Sequence, residues 1–133
     1  MLLVLSCSLN PNSRSRILAK RANEQLLAAG QKTRFVNLAD YQLPLCNDSD
    51  CYSTESVIQL QTWIQEARGI LIATPVYNYG ASAATKNLIE LTGKAWSEKV
   101  VGFLCAAGGK GSYMSLMGLA NSLMLDFPCL IIP

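Results

Sequence analysis

The stretch LLVLSCSLNPNSRSRILAKRANEQLLAAG, residues 2–30, decides the fold. Leu2 to Ser6 form an apolar run of strand length, a polar turn follows, and from about Ser13 to Ala29 the residues Leu18, Ala22, Leu26 and Ala29 recur at helical spacing. Gly30 stands where a helix end takes a left-handed cap residue. Strand, turn and amphipathic helix make the first half of a βαβ unit, and the rest of the chain repeats the pattern. Further strands are predicted at about Thr33–Leu38, Ile70–Thr74, Val100–Ala106 and Cys129–Ile132. Helices are predicted at about Thr54–Ala67, with Val57, Leu60, Ile64 and Ala67 inward, at Ala81–Gly93, with Ala84, Leu88 and Leu91 inward, and at Ser112–Leu125. This alternation gives an α/β fold, a three-layer sandwich with a five-stranded parallel sheet in the order 2-1-3-4-5. Ala39 to Ser53 carry no periodicity and read as a long loop. Such a sheet normally closes with a further helix, and none follows the fifth strand. The expectation is that another subunit covers that face or that the chain is C-terminally truncated.

At 133 residues, half of them apolar, residues 1–133 are expected to form one domain with its own core. Eleven basic against nine acidic residues leave a net charge of +2, and no cationic run is longer than Lys20-Arg21, so neither nucleic acid nor a membrane surface is the expected partner. The short apolar start lacks a basic region and breaks off after five residues, which points to a cytoplasmic protein without a leader or membrane span. Five scattered cysteines (Cys7, Cys46, Cys51, Cys105, Cys129) are expected as free thiols, three of them as small hydrophobes in strands. Cys46 and Cys51 alone, with no His anywhere in the chain, offer too few ligands for a metal. The absence of His also removes Ser-His and Cys-His catalysis, which shifts the expectation toward chemistry carried by a cofactor.

Ligands of an open parallel sheet sit beyond the carboxyl ends of its strands, so three turns bear the function. The first, Ser6 to Ser15, joins a strand to a helix N-terminus, where free N–H groups and the dipole favour an anion. Ser8, Asn10, Ser13, Arg14 and Ser15 add donors, more than a helix cap requires. With neither a G-x-G-x-x-G nor a P-loop ending, a monophosphate suits this cup better than a pyrophosphate. A rival is a tyrosine-phosphatase loop of the Cys-x5-Arg-Ser kind, but six residues separate Cys7 from Arg14. The second turn brings Pro75, Val76, Tyr77, Asn78 and Tyr79 to the mouth of the sheet, flat apolar surface with donors that suits a planar heteroaromatic ring. The third offers Gly108, Gly109 and Gly111, expected to permit positive φ and close backbone approach to a ligand.

Thr74-Pro75-x-Tyr77-Asn78, a run of small residues, and Lys86-Asn87-x-Ile89-Glu90 together resemble the NADPH-dependent FMN reductase family, flavodoxin-like proteins that include quinone and azo-dye reductases. Ser8-Leu9-x-x-x-Ser13-x-Ser15 is similar to that family's flavin phosphate loop. Departures are Cys7 where Gly is usual, Asn10 where Arg is frequent, and Val76 where Glu is common. The resemblance implies a flavodoxin-like domain that holds FMN and takes a hydride from NADPH or NADH. The electrons would pass on to a small acceptor such as a quinone, azo dye, flavin or metal ion. It implies FMN on Ser8, Asn10, Ser13, Arg14, Ser15, Pro75, Val76, Tyr77, Asn78, Tyr79, Gly108, Gly109 and Gly111, no catalytic acid or base, and a homodimer or homotetramer. Two other readings stand beside it: an electron-carrier flavodoxin, against which the slightly basic charge argues, and a flavin-free phosphate-binding or phosphatase-like protein using the Cys7 to Arg14 loop. Tyr41 and Tyr52 are candidate shields of the ring. Tyr113, Met114, Met117 and Met124 read as helix packing, and Trp63 and Trp96 as structural.

Overall fold

The computed structural model describes residues 1–132. Strands β1 (Leu2–Ser6), β2 (Thr33–Asn37), β3 (Gly69–Tyr77), β4 (Gly80–Ala81), β5 (Val100–Ala106) and β6 (Leu130–Ile131) alternate with helices α1 (Arg14–Ala28), α2 (Glu55–Glu66), α3 (Ala83–Thr92) and α4 (Met117–Asp126). The parallel strands lie in the order β2-β1-β3-β5-β6, and β4 pairs antiparallel with the end of β3. The five parallel strands therefore follow the order read from the sequence, and the small hairpin is an addition to it. Leu2 to Ser6 of β1 sit between Thr33 to Asn37 and Gly69 to Ala73, so β1 and β3 are the centre of the sheet.

Alternation along the strands sorts the core into two layers. Leu3, Leu5, Cys7, Ile70, Ile72 and Val101 point to one face and are buried with Leu60 and Ile64 of α2, Leu88 and Ile89 of α3, and Leu119 and Leu123 of α4. Trp96 fills this layer with no exposure, its indole N–H donating to Thr92 Oγ1 at 2.7 Å, which accords with its structural reading. Val4 and Ala73 point the other way, onto Ala19 of α1, with Leu26, Phe35, Leu71 and Leu104 packed around them.

The predicted stripe of α1 is corrected here. Ser15 and Ala19 are its fully buried residues, whereas Leu18 and Ala29 are exposed and Ala22 and Leu26 only half-buried. Small side chains let the helix lie close on the sheet, and the long leucines that carry a hydrophobic period are displaced to its flanks. Beside α1, Leu2, Leu26, Leu71, Val100, Gly102 and Ile132 border an apolar groove of about 170 Å³ on the same face. The cap of α1 matches expectation. Gly30 takes φ 74°, its N–H bonds to Leu27 O and that of Gln31 to Leu26 O at 3.0 Å, the paired bonds of a Schellman motif.

Two further boundaries differ. β3 runs on past Thr74 through Tyr77, because β1 ends opposite Ala73 and Pro75 therefore has a ladder partner only on the β5 side. The predicted last helix is split into a 3₁₀ turn, Lys110–Met114, and α4.

Candidate functional site

The turn after β1 and the first turn of α1 build a polar cup. Ser13 caps the helix, its Oγ accepting from Arg16 N at 3.3 Å, and shares a 2.8 Å hydrogen bond with Ser15 Oγ. Ser8 Oγ accepts from Asn10 N at 3.2 Å, and Asn10 Oδ1 from Asn12 N at 2.9 Å. All three serines are buried. Helix geometry leaves the first N–H groups without intrahelical partners, and those of Arg14 and Ser15 find no other among the described residues. No acid stands in the first turn. Serine hydroxyls, free N–H groups and the positive end of a helix of 15 residues thus converge on one spot, a donor set suited to an anion.

The cup opens into a cavity of about 410 Å³ lined by Ser8, Asn10, Asn12, Ser13, Arg14, Ser15, Pro75, Val76, Tyr77, Ala106, Ala107 and Gly108. Nine of the residues singled out from the sequence meet there: Ser8, Asn10, Ser13, Arg14, Ser15, Pro75, Val76, Tyr77 and Gly108. Asn78, Tyr79, Gly109 and Gly111 do not line it. Asn78 and Tyr79 are the two central residues of the β3–β4 hairpin, at φ 49° and 62°, and Tyr79 is exposed. Positive φ at both positions is the mark of a type I′ turn, which favours Asn-Gly; a tyrosine held there is strained. Gly108, Gly109 and Gly111 do not take the expected positive φ, and a Cβ on any of them would meet no protein atom within 4 Å. Sequence reading missed Asn12, Ala106 and Ala107, small or unremarkable residues that matter only through position.

Arg16 was missed as well. Its guanidinium donates to Pro11 O and to Asn10 O, each at 3.2 Å, and so fixes the rim of the cup, while Arg14 lies exposed at its edge. Only the helix phase separates the two arginines, and sequence periodicity does not resolve it to one residue.

Behind the cup lies a knot of hydroxyls. Thr74 Oγ1 and Thr85 Oγ1 are 2.7 Å apart, Ser82 Oγ and Thr85 Oγ1 2.9 Å, and Ser82 Oγ donates to Cys7 O at 3.3 Å. All three are buried, and they tie the turn after β1 to the end of β3 and the start of α3. Cys7 itself points away from the cavity into the larger core, and burial pushes its thiol up to about 12 against the lowering effect of the Thr85 side chain. A buried neutral thiol on the wrong side of the strand is no nucleophile, which overturns the phosphatase-like reading of the Cys7 to Arg14 loop.

Other expectations are corrected too. Tyr113, Met114, Met117 and Met124 are exposed rather than packed, and Cys105 is exposed rather than a buried hydrophobe. All five thiols are free, and among the described residues no group of three His, Cys, Asp or Glu could hold a metal. Tyr41 packs edge-on against Trp63 at 6.2 Å between centroids, with Arg34 stacked 4.6 Å from the Trp63 ring. It borders a second cavity, about 240 Å³ and largely apolar, with Leu9, Leu43, Leu45, Ala84 and Asn87. Asn87 latches the 39–53 loop over it: its Nδ2 donates to Pro44 O and its Oδ1 accepts from Cys46 N, both at 2.9 Å.

Residues 1–132 match the family model described as NADPH-dependent FMN reductase. The chain is 32% identical over 113 residues to the NADPH azoreductase of Bacillus sp. (strain OY1-2), covering 83% of this chain and 61% of that one. It is 29% identical over 93 residues to an iron-sulfur flavoprotein of Methanocaldococcus jannaschii, 65% of this chain and 48% of the other. The chain thus spans about half to three-fifths of the length of these relatives. Among solved structures, the apo NADH:FMN oxidoreductase EMOB superposes with a TM-score of 0.85 at 19% identity, over 99% of this chain and 72% of that one. The NAD(P)H:(acceptor) oxidoreductase FerB of Paracoccus denitrificans superposes with 0.83 at 23% identity, over 99% and 74%. These two likenesses show the flavodoxin-like fold. No helix among the described residues is long and apolar enough to cross a membrane.

Proposed function

The chain belongs to the NADPH-dependent FMN reductase family, and from its geometry we propose that it is an FMN-dependent NAD(P)H oxidoreductase. The observation that carries this reading is the cup of buried Ser8, Ser13 and Ser15 hydroxyls with the free Arg14 and Ser15 N–H groups, opening into the cavity walled by Pro75, Val76, Tyr77 and Ala106 to Gly108. The donor set fits the phosphate of FMN, and the apolar wall beside it fits a flat ring.

In this reading Ser8, Ser13 and Ser15 hold the phosphate, with Arg14 at the rim adding charge. Arg16 keeps the loop in its phosphate-ready shape without touching the ligand. Pro75, Val76 and Tyr77 wall the ring on one side, and Ala106, Ala107 and Gly108 on the other. The N–H of Gly108, which has no partner among the described residues, is a donor for the ring's polar edge. FMN held by these residues would supply the redox chemistry, hydride acceptance from NADPH, or NADH, and electron transfer to a small acceptor such as a quinone, azo dye, free flavin or metal ion. The azoreductase relative supports that donor and acceptor class. A homodimer or homotetramer belongs to the same proposal, supported by exposed Tyr77, Tyr79, Tyr113, Met114 and Met117 around the mouth of the sheet.

The test is the visible spectrum of the chain after incubation with FMN and gel filtration, followed by anaerobic NADPH. Retained yellow colour that bleaches is the expected result. Retention without bleaching would favour an electron carrier, and a colourless protein would overturn the FMN reading.

A further inference from the structure

Away from this cavity, the 39–53 loop brings two thiols together. The Asn47 side chain accepts from the N–H groups of Ser49 and Cys51 at 3.1 and 3.4 Å and donates to Asp50 Oδ1 at 2.7 Å, curling the backbone between Cys46 and Cys51. The N–H of Asn47 then lies 3.5 Å from Cys51 Sγ. One carbonyl carbon joins that nitrogen to the Cys46 Cα, which places Cys51 Sγ within about 6 Å of it, so that a modest shift of the loop brings the two sulfurs to bonding distance. Cys46 packs on the buried cluster of Cys51, Val57 and Leu91. Cys46 is half-buried while Cys51 is only 2% exposed, so Cys46 is the more accessible of the two. Burial pushes the Cys51 thiol up, but hydrogen bonds from the Asn47, Ser49 and Asp48 backbone and from Cys46 outweigh it, leaving the thiol below its ordinary range.

We propose that Cys46 and Cys51 are a redox-active pair that closes to an intramolecular disulfide by exchange with a small disulfide such as oxidised glutathione. Cys46 Sγ attacks one glutathione sulfur, forming a mixed disulfide and releasing one glutathione thiolate. Cys51 Sγ then attacks Cys46 Sγ, forming the internal S–S bond and expelling the second. The pair gives up two electrons, glutathione disulfide gains them, and the two cysteine protons end on the two released thiols. Closure removes the Cys46 to Tyr52 OH contact of 3.4 Å and stiffens the loop that Asn87 latches over the apolar cavity.

No Lys or Arg stands between Arg34 and Arg68, so both cysteines fall in one tryptic peptide. The chain is incubated with oxidised glutathione, its remaining thiols are alkylated, and the digest is weighed. The expected result is that peptide two hydrogens light and resistant to alkylation, whereas Cys51→Ser stops at a glutathione adduct on Cys46. Wild type that accumulates the Cys46 adduct without closing would overturn the proposal. So would one that leaves both thiols free to alkylate while the exposed Cys105 takes up glutathione.

Discussion

Replacing Thr85 by Val exchanges one hydroxyl for a methyl group of nearly the same size, at a site with no exposure. No cavity opens, so the change isolates the hydroxyl knot. Thr85 Oγ1 makes two of its shortest contacts, 2.7 Å to Thr74 Oγ1 and 2.9 Å to Ser82 Oγ. After the change Thr74 Oγ1 keeps only longer contacts, 3.2 Å to Pro75 O, 3.4 Å from Ser82 N and 3.5 Å to Ser82 Oγ, and Ser82 Oγ keeps 3.3 Å to Cys7 O and 3.4 Å from the backbone N of residue 85. Two buried hydrogen bonds at about 1 kcal/mol each set the loss at about 2 kcal/mol, the full value if the remaining longer contacts rescue nothing. For a chain of this size that is roughly 8 °C in Tm. Urea unfolding of wild type, Thr85→Val and Thr85→Ser measures it. The serine variant keeps both bonds, loses one methyl and should fall by only about 1 kcal/mol. If the valine variant equals wild type, or if serine costs more than valine, packing rather than the hydroxyl knot holds the two turns together and the reasoning fails.

Three further outcomes are expected. Ser15→Ala should weaken FMN binding about 5- to 30-fold, the equivalent of about 1–2 kcal/mol, with riboflavin much less affected, as fluorescence titration of both flavins would reveal. Cys7 is neutral in the fold up to about pH 12 but ionises at about 9 once unfolded, so stability is complete below pH 9 and declines as pH rises toward 12. The slope is about 1.4 kcal/mol per pH unit, read from urea midpoints between about pH 8 and 11, and Cys7→Ala should flatten it. Trp96→Phe should cost about 2–3 kcal/mol in the same assay, since it leaves Thr92 Oγ1 without its indole donor and opens a gap in a fully buried site.

What could be read from the sequence was whatever depends on period. The strands and helices, the parallel order, the Gly30 cap and the three carboxyl-end turns all follow from local pattern and from the rule that parallel sheets bind ligands at that edge. What escaped depends on distance across the fold. The continuation of β3 through Pro75 is possible only because β1 stops early, a fact about a neighbouring strand. The choice between Leu18 and Ala19 for the buried face of α1 is decided by how closely the helix approaches the sheet, and a hydrophobic stripe favours the larger residue. Arg14 and Arg16 look alike in a string of letters, yet one guanidinium grips two carbonyls and the other does not. The glycines of the third turn were read as conformationally necessary, and the backbone there proves ordinary.

The Asn87 latch binds segments about forty residues apart, and its partners have no regular ladder of their own. The 39–53 loop therefore gains its fixed shape only once α3 has docked, late in the order of assembly. The Cys46 amide, bonded to a side chain of α3 rather than to its own loop, should then exchange its proton with solvent at the rate at which that helix lifts away. One backbone hydrogen thereby becomes a clock for the opening of the whole cavity wall.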